Sequence, residues 1–142
     1  MATAADAARV GEVFLRARAE MTYLPRLHTD EETRDWFRNV MLPTHEVWVA
    51  DEPPVAGFAA LGETMLDHLY VDPAQQGRGL GTALLERALE RRPQGLELWV
   101  FQRNEGARRF YERHGFELVR MTDGADNEER EPDAFYRSRP LV

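Results

Sequence analysis

Three glycines alternate within five residues, Gly77, Gly79 and Gly81, in the stretch "VDPAQQGRGLGTALLERALERR" that runs from Val71 to Arg92. A short apolar run precedes them, and an amphipathic helical pattern follows in which Leu80, Leu84 and Ala88 share a face. No other feature restricts the fold as tightly. A strand that turns through glycines into a helix leaves the first N–H groups of that helix without intrahelical partners, so they point at whatever approaches the turn. Glycines let these groups curl around phosphate oxygens, which makes the turn an anion site. Two well-known phosphate loops are excluded by the residues themselves. The dinucleotide fingerprint G-x-G-x-x-G needs glycine where Thr82 stands, and the P-loop ends in G-K-[ST], whereas this chain has no lysine.

Composition narrows the setting. At 142 residues and 43% hydrophobic, the chain fits one domain, residues 1–142, with a single sizeable core. No apolar run reaches the ~18 residues of a membrane span, and "MATAADAARV" has neither a basic nor a hydrophobic signal region. Cysteine is absent, which removes disulfides, thiolate metal sites and cysteine nucleophiles; His28, His45, His68 and His114 show no metal-ligand spacing. The expectation is a cytoplasmic, metal-free domain with no membrane partner. A net charge of −7 argues against nucleic acid, since phosphate neutralisation needs clustered cations. The charge is also uneven. Residues 76–115 carry eight arginines against five acids, residues 51–75 carry five acids and no lysine or arginine, and residues 116–142 carry seven acids against four arginines. The glycine loop therefore lies in the net-basic segment of an acidic chain.

Along the chain, "TAADAARVGEVFLRARAEM" predicts a helix with Ala7, Val10, Phe14, Ala17 and Met21 at helical spacing and a Thr3–Asp6 capping box. "DEETRDWFRNVML" predicts a second, with Trp36, Phe37, Val40 and Met41 on one side. "HEVWVAD" and "VAGFAALG" read as a hairpin across Glu52-Pro53-Pro54, and "TMLDHLYVD" as a third strand stopped by Pro73. After the loop helix, "LELWVFQ" reads as a strand and "NEGARRFYERHG" as a helix capped by Asn104 and ended at Gly115. "FELVRMT", the acidic loop "DGADNEEREPD" and "AFYRSR" complete the chain as strand, loop and strand. The sum is a mixed α/β domain with one central crossover.

Gln76-x-x-Gly79-x-Gly81, set in "LYVDPAQQGRGLGTALL", resembles the acyl-CoA pyrophosphate loop of the GNAT (general N-acetyltransferase) superfamily, Q/R-x-x-G-x-G/A. "NEGARRFYERHGF" resembles that family's second signature, N-x-x-A-x-x-F-Y-x-x-x-G-F, and the likeness extends over essentially the whole chain. It implies a mostly antiparallel sheet with helices on both faces. The usual first edge strand is truncated or absent here, because only Met1 and Ala2 precede the cap at Thr3. It implies acetyl-CoA as cosubstrate, held by the backbone of Leu69, Tyr70 and Val71 and by Gln76, Gly77, Arg78, Gly79, Leu80, Gly81, Thr82 and Asn104. A homodimer is left open.

The same resemblance points Tyr111 at the cofactor sulfur, where a phenol of pKa about 10 can protonate a departing thiolate of pKa about 8.5. Seven residues separate Asn104 from Tyr111, close to two helical turns, so both face one way. For deprotonating the amine, Asp67 acting through a water is favoured over His68. The two alternate on one strand, so only one of them looks into the acceptor cleft. Tyr23, His28, Asn127 and Glu128 are candidates for the acceptor wall, and the acids of residues 51–75 and 116–142 favour a cationic small-molecule or peptide amine. A non-catalytic acyl-CoA-binding sensor is the alternative from another class, disfavoured by an acid placed at the sulfur.

Overall fold

In the computed structural model, which describes residues 1–51 and 54–140, a 3-10 turn over Ala4–Asp6 leads into helix α1 (Ala7–Ala19). The expected capping box is present, Thr3 N–H donating to the Asp6 carboxylate at 2.9 Å. Helix α1 buries Ala7, Val10, Gly11, Val13 and Ala17. Phe14, expected on the same stripe, instead lines a cavity.

Helix α2 (Asp30–Trp36) starts at a second capping box, in which Glu32 N–H donates to Thr29 Oγ1 at 3.1 Å and Thr29 N–H to Glu32 Oε1 at 2.8 Å. It continues through a π turn (Phe37–Met41) into one helical turn, α3 (Leu42–Thr44). A π turn widens the helix by one residue per turn and shifts what faces the core. Phe37 and Met41 are buried, but Trp36 and Val40 are 40% and 45% exposed, so the expected four-residue apolar side is only half a core face.

Strands β1 (Glu46–Asp51), β2 (Val55–Leu61) and β3 (Leu66–Val71) form one antiparallel sheet in that order. The hairpin closes at the pair Asp51–Val55, and Glu52 and Pro53 of its expected turn lie outside the described residues. β2, buried along its whole length, has α1 on one face and α4 (Leu80–Arg91) on the other. A second antiparallel sheet has the order β4 (Glu97–Phe101), β6 (Asp133–Ser138), β5 (Phe116–Met121), and α5 (Glu105–Arg113) packs on it. The crossover is β3–α4–β4. One core cluster fills the space between the sheets, α4 and α5; another joins α1 and the π turn to β1 and β2. This is the α/β arrangement that the resemblance implies. Ala2 N–H donates to the Val47 carbonyl at 2.8 Å, a single rung where an edge strand would run, and among the described residues no strand precedes β1.

Candidate active site

Among the described residues, the backbones of the two sheets pair at one place. Met65 and Glu97 form a parallel bridge, with Glu97 N–H donating to the Thr64 carbonyl at 2.9 Å. Beyond it, among the described residues, β3 and β4 share no ladder and diverge. The open edge of β3 can be read rung by rung. Asp72 N–H donates to the Ala56 carbonyl at 2.7 Å, so by antiparallel alternation Tyr70 directs its amide groups to β2, while Leu69 and Val71 direct theirs into the gap. The expectation of all three backbones on the open edge is therefore corrected: Leu69 and Val71 open onto the gap, and Tyr70 pairs with Phe58. Gln76 Nε2 donates to the Val71 carbonyl at 3.3 Å, which places that carbonyl on the gap side.

The glycine loop stands at the end of this edge. Gly77 (φ +84°) and Gly79 (φ +78°) hold left-handed conformations, and a Cβ on either would meet nothing within 4 Å, so conformation rather than space demands glycine there. Gly79 is the N-cap of α4, and Leu80, Gly81 and Thr82 form its first turn. As the first N–H groups of a helix, theirs have no intrahelical acceptor and point out into the turn. Arg78 donates to Gln75 Oε1 at 2.6 Å, and Thr82 Oγ1 lies 3.4 Å from His114 Nε2. The loop is anchored from behind by Asp72, only 2% exposed. Arg9 and Arg16 of α1 lie 2.9 and 3.3 Å from its carboxylate, which also accepts Ala74 N–H at 3.0 Å.

Across the gap, Asn104 caps α5 as expected, its Oδ1 accepting Ala107 N–H at 3.2 Å. Tyr111 is buried with Phe110 and Phe116 edge-on at 5.3 and 5.5 Å, in the same core cluster against which Leu69, Val71 and Val100 of the diverging strands pack. Burial, with a smaller contribution from Tyr70, pushes the Tyr111 phenol well above its ordinary value. It keeps its proton throughout the physiological range.

On the other face of the first sheet lies a cavity of about 690 Å³. Phe14, Trp36, Phe37 and His68 supply its rings, and Arg18, Arg26, Asp30, Glu32, Glu128 and Glu129 its charges. His28 and Glu128, both expected as acceptor-wall residues, are brought into direct contact at its rim. Arg18 Nη2 donates to Glu129 at 2.7 Å and its guanidinium stacks over Phe14.

Three expectations are corrected here. Asp67 sits at the β-bulge between Ala60 and Leu61, and its carboxylate is 2.9 Å from His45 Nε2, away from the cavity; His68 faces the cavity instead. Asn127 is used up inside its loop, bonding the Glu131 carbonyl (2.7 Å), Asp133 (3.1 Å) and Glu131 N–H (3.2 Å). Tyr23 lies beside the cavity wall, edge-on to Phe101 at 6.3 Å and beneath Arg103. Its hydroxyl is buried with no hydrogen-bond partner among the described residues, and burial together with Glu131 raises its pKa. Sequence reasoning missed Phe14, Arg18, Trp36 and Phe37 as cavity-lining residues, while Glu129 of the acidic loop was within its reach. The available signal was three aromatics and an arginine on faces otherwise typical of core helices.

A splayed strand pair, a positive-φ glycine loop at a helix start and a buried tyrosine across the gap are a family arrangement. The model of the acetyltransferase (GNAT) domain matches residues 43–118. The chain belongs to the GNAT acetyltransferase family. GNAT relatives include the peptidyl-lysine N-acetyltransferase YjaB of Salmonella typhimurium, 36% identical over 87 residues, and YiaC of Escherichia coli, 33% identical over 107. These matches span 60% and 74% of this chain and 59% and 70% of the relatives' lengths. The solution structure of apo YjaB from Escherichia coli superposes with a TM-score of 0.76 at 26% identity, over 96% of this chain and 92% of that one. No helix among the described residues is long and apolar enough to cross a membrane.

Proposed function

We propose that this protein transfers an acetyl group from acetyl-CoA to a cationic alkyl amine, with peptidyl lysine as the acceptor class. The observation that carries the reading is the pairing of a free strand edge under a glycine loop with a separate cavity on the opposite face of the same strand. A cosubstrate and an acceptor would then meet at β3.

The residues fit acetyl-CoA. Leu69 and Val71 direct N–H groups into the gap, and the first turn of α4 offers N–H groups to a pyrophosphate, with Arg78 and Thr82 as side-chain partners. Acetyl-CoA supplies a thioester carbonyl and a thiolate leaving group. The strand-edge N–H groups stabilise negative charge on that carbonyl oxygen. Tyr111 holds a proton at its hydroxyl and delivers it to the sulfur as the C–S bond breaks. Water is kept from the reacting centre by the Phe110, Tyr111 and Phe116 cluster.

The acceptor side suits a lysine side chain. Phe14, Trp36 and Phe37 give a four-carbon stem apolar surface, and Glu32, Glu128 and Glu129 attract its ammonium. Two relatives named as peptidyl-lysine N-acetyltransferases support the same class. The test is release of free thiol from acetyl-CoA with a lysine-containing peptide, its N-terminus blocked, beside a neutral aromatic amine. Preference for the peptide is expected. Tight acetyl-CoA binding with no thiol release for any amine would overturn transfer in favour of a binding protein.

A further inference from the structure

Resting on the acetyl-transfer reading, we propose that the His68 imidazole is the group that takes the proton from the acceptor ammonium. Strand alternation turns its ring from β3 into the cavity, among Phe14 (5.9 Å), Trp36 (5.7 Å), Phe37 (5.6 Å), Phe58 (6.3 Å) and Tyr70 (6.1 Å). Its Nδ1 is buried and has no hydrogen-bond partner among the described residues. The position is also right along the chain: His68 immediately precedes Leu69, whose amide groups open into the gap where the acetyl group would lie.

The carboxylates lining the cavity all have partners: Asp30 pairs with Arg26, Glu128 meets His28, Glu129 pairs with Arg18, and Glu32 accepts Thr29 N–H; Asp67, outside the cavity, faces His45. Burial, then the charges of His45 and Arg18, holds His68 at a pKa of about 4, so the ring is neutral at physiological pH. The Tyr70 phenol beside it is buried and itself raised, and stays protonated.

The protons balance. An ammonium carries three and the amide product keeps one. One passes to His68 and then to water at the cavity mouth. The other replaces the proton that Tyr111 gives to sulfur, as the N–C bond forms and the C–S bond breaks.

The kinetic consequence separates this role from a structural one. An enzyme that binds the ammonium beside a neutral base has kcat/KM nearly independent of pH between about 6 and about 9, because the lysine stays charged below its pKa of about 10.4. An enzyme without that base needs free amine, and kcat/KM then rises tenfold per pH unit. The experiment measures kcat/KM for a lysine peptide across that range in wild type, His68→Asn and His68→Gln, with thermal melting and acetyl-CoA affinity measured alongside. The two amides place a polar atom near Nδ1 and Nε2 respectively, so either folded variant suffices. A flat wild-type profile is expected. Each variant should lose roughly 10²-fold near pH 7 and climb steadily with pH, with cosubstrate affinity unchanged. A flat profile in a folded variant, or a tenfold-per-unit rise already in wild type, would overturn the role of His68 while leaving acetyl transfer intact. A wild type that binds acetyl-CoA but acetylates no alkyl amine would instead sink the functional reading.

Discussion

The glycine-loop side and the cavity side of β3 are built by different means. The first is one continuous run, Leu69 to Thr82, made of backbone N–H groups and left-handed glycines. The second is assembled from side chains of α1, the segment that follows it, α2, one strand residue and a distant loop. A backbone site is exacting about conformation and tolerant of most neighbouring side chains. A side-chain site is the reverse, so one scaffold can keep its cosubstrate while its acceptor changes.

Breaking the backbone side should have the largest effect. Gly79→Glu forces a side chain into φ +78° and puts a carboxylate at the phosphates. Acetyl-CoA affinity should fall roughly 10²-fold or more by calorimetry, while the acceptor cavity is untouched. Equal affinity in the folded variant would remove the loop from the cofactor site.

Tyr111→Phe tests whether the two sides meet at a shared acid. Loss of a proton donor typically costs about 10²-fold in kcat, and here cosubstrate affinity should change less than about threefold. Turnover at the wild-type rate would leave Tyr111 as packing only.

The acceptor side can be loosened alone through its loop. Gly124 has φ +84°, and a Cβ there would lie 2.4 Å from the Glu131 backbone. Gly124→Ala should displace Glu128 and Glu129, raising the acceptor KM by roughly fivefold with acetyl-CoA affinity unchanged. Hydrogen exchange across residues 122–133 should rise in parallel; an unchanged KM would detach this loop from the acceptor.

The smallest effect is electrostatic. With acids at its rim, the cavity should give a kcat/KM for lysine peptides that falls about two- to fivefold between about 50 mM and about 300 mM salt. A neutral amine should show no such dependence, and equal behaviour of the two would make those acids mere surface charge.

What the sequence determined by itself was everything that depends on neighbours in the chain. Gln76, Gly79 and Gly81 define a loop because a strand–turn–helix of that spacing has few backbone solutions. Asn104 and Tyr111 align because a helix returns to the same face after seven residues. The capping boxes at Thr3 and Thr29 are local for the same reason. Tertiary structure decided what alternation and long-range packing control. The bulge at Ala60–Leu61 turned Asp67 towards His45 and left His68 facing the cavity, a one-residue shift that no local pattern encodes. Placing β6 between β4 and β5, and folding the 122–133 loop so that it buries Glu131 and holds Asn127 inward, sent Glu128 and Glu129 to a wall otherwise built by residues a hundred positions earlier. Side-chain walls drawn from separate segments exist only once those segments pack, which is why the glycine loop and the Asn104 cap were legible in the sequence while the cavity lining was legible only at His28 and in the acidic loop.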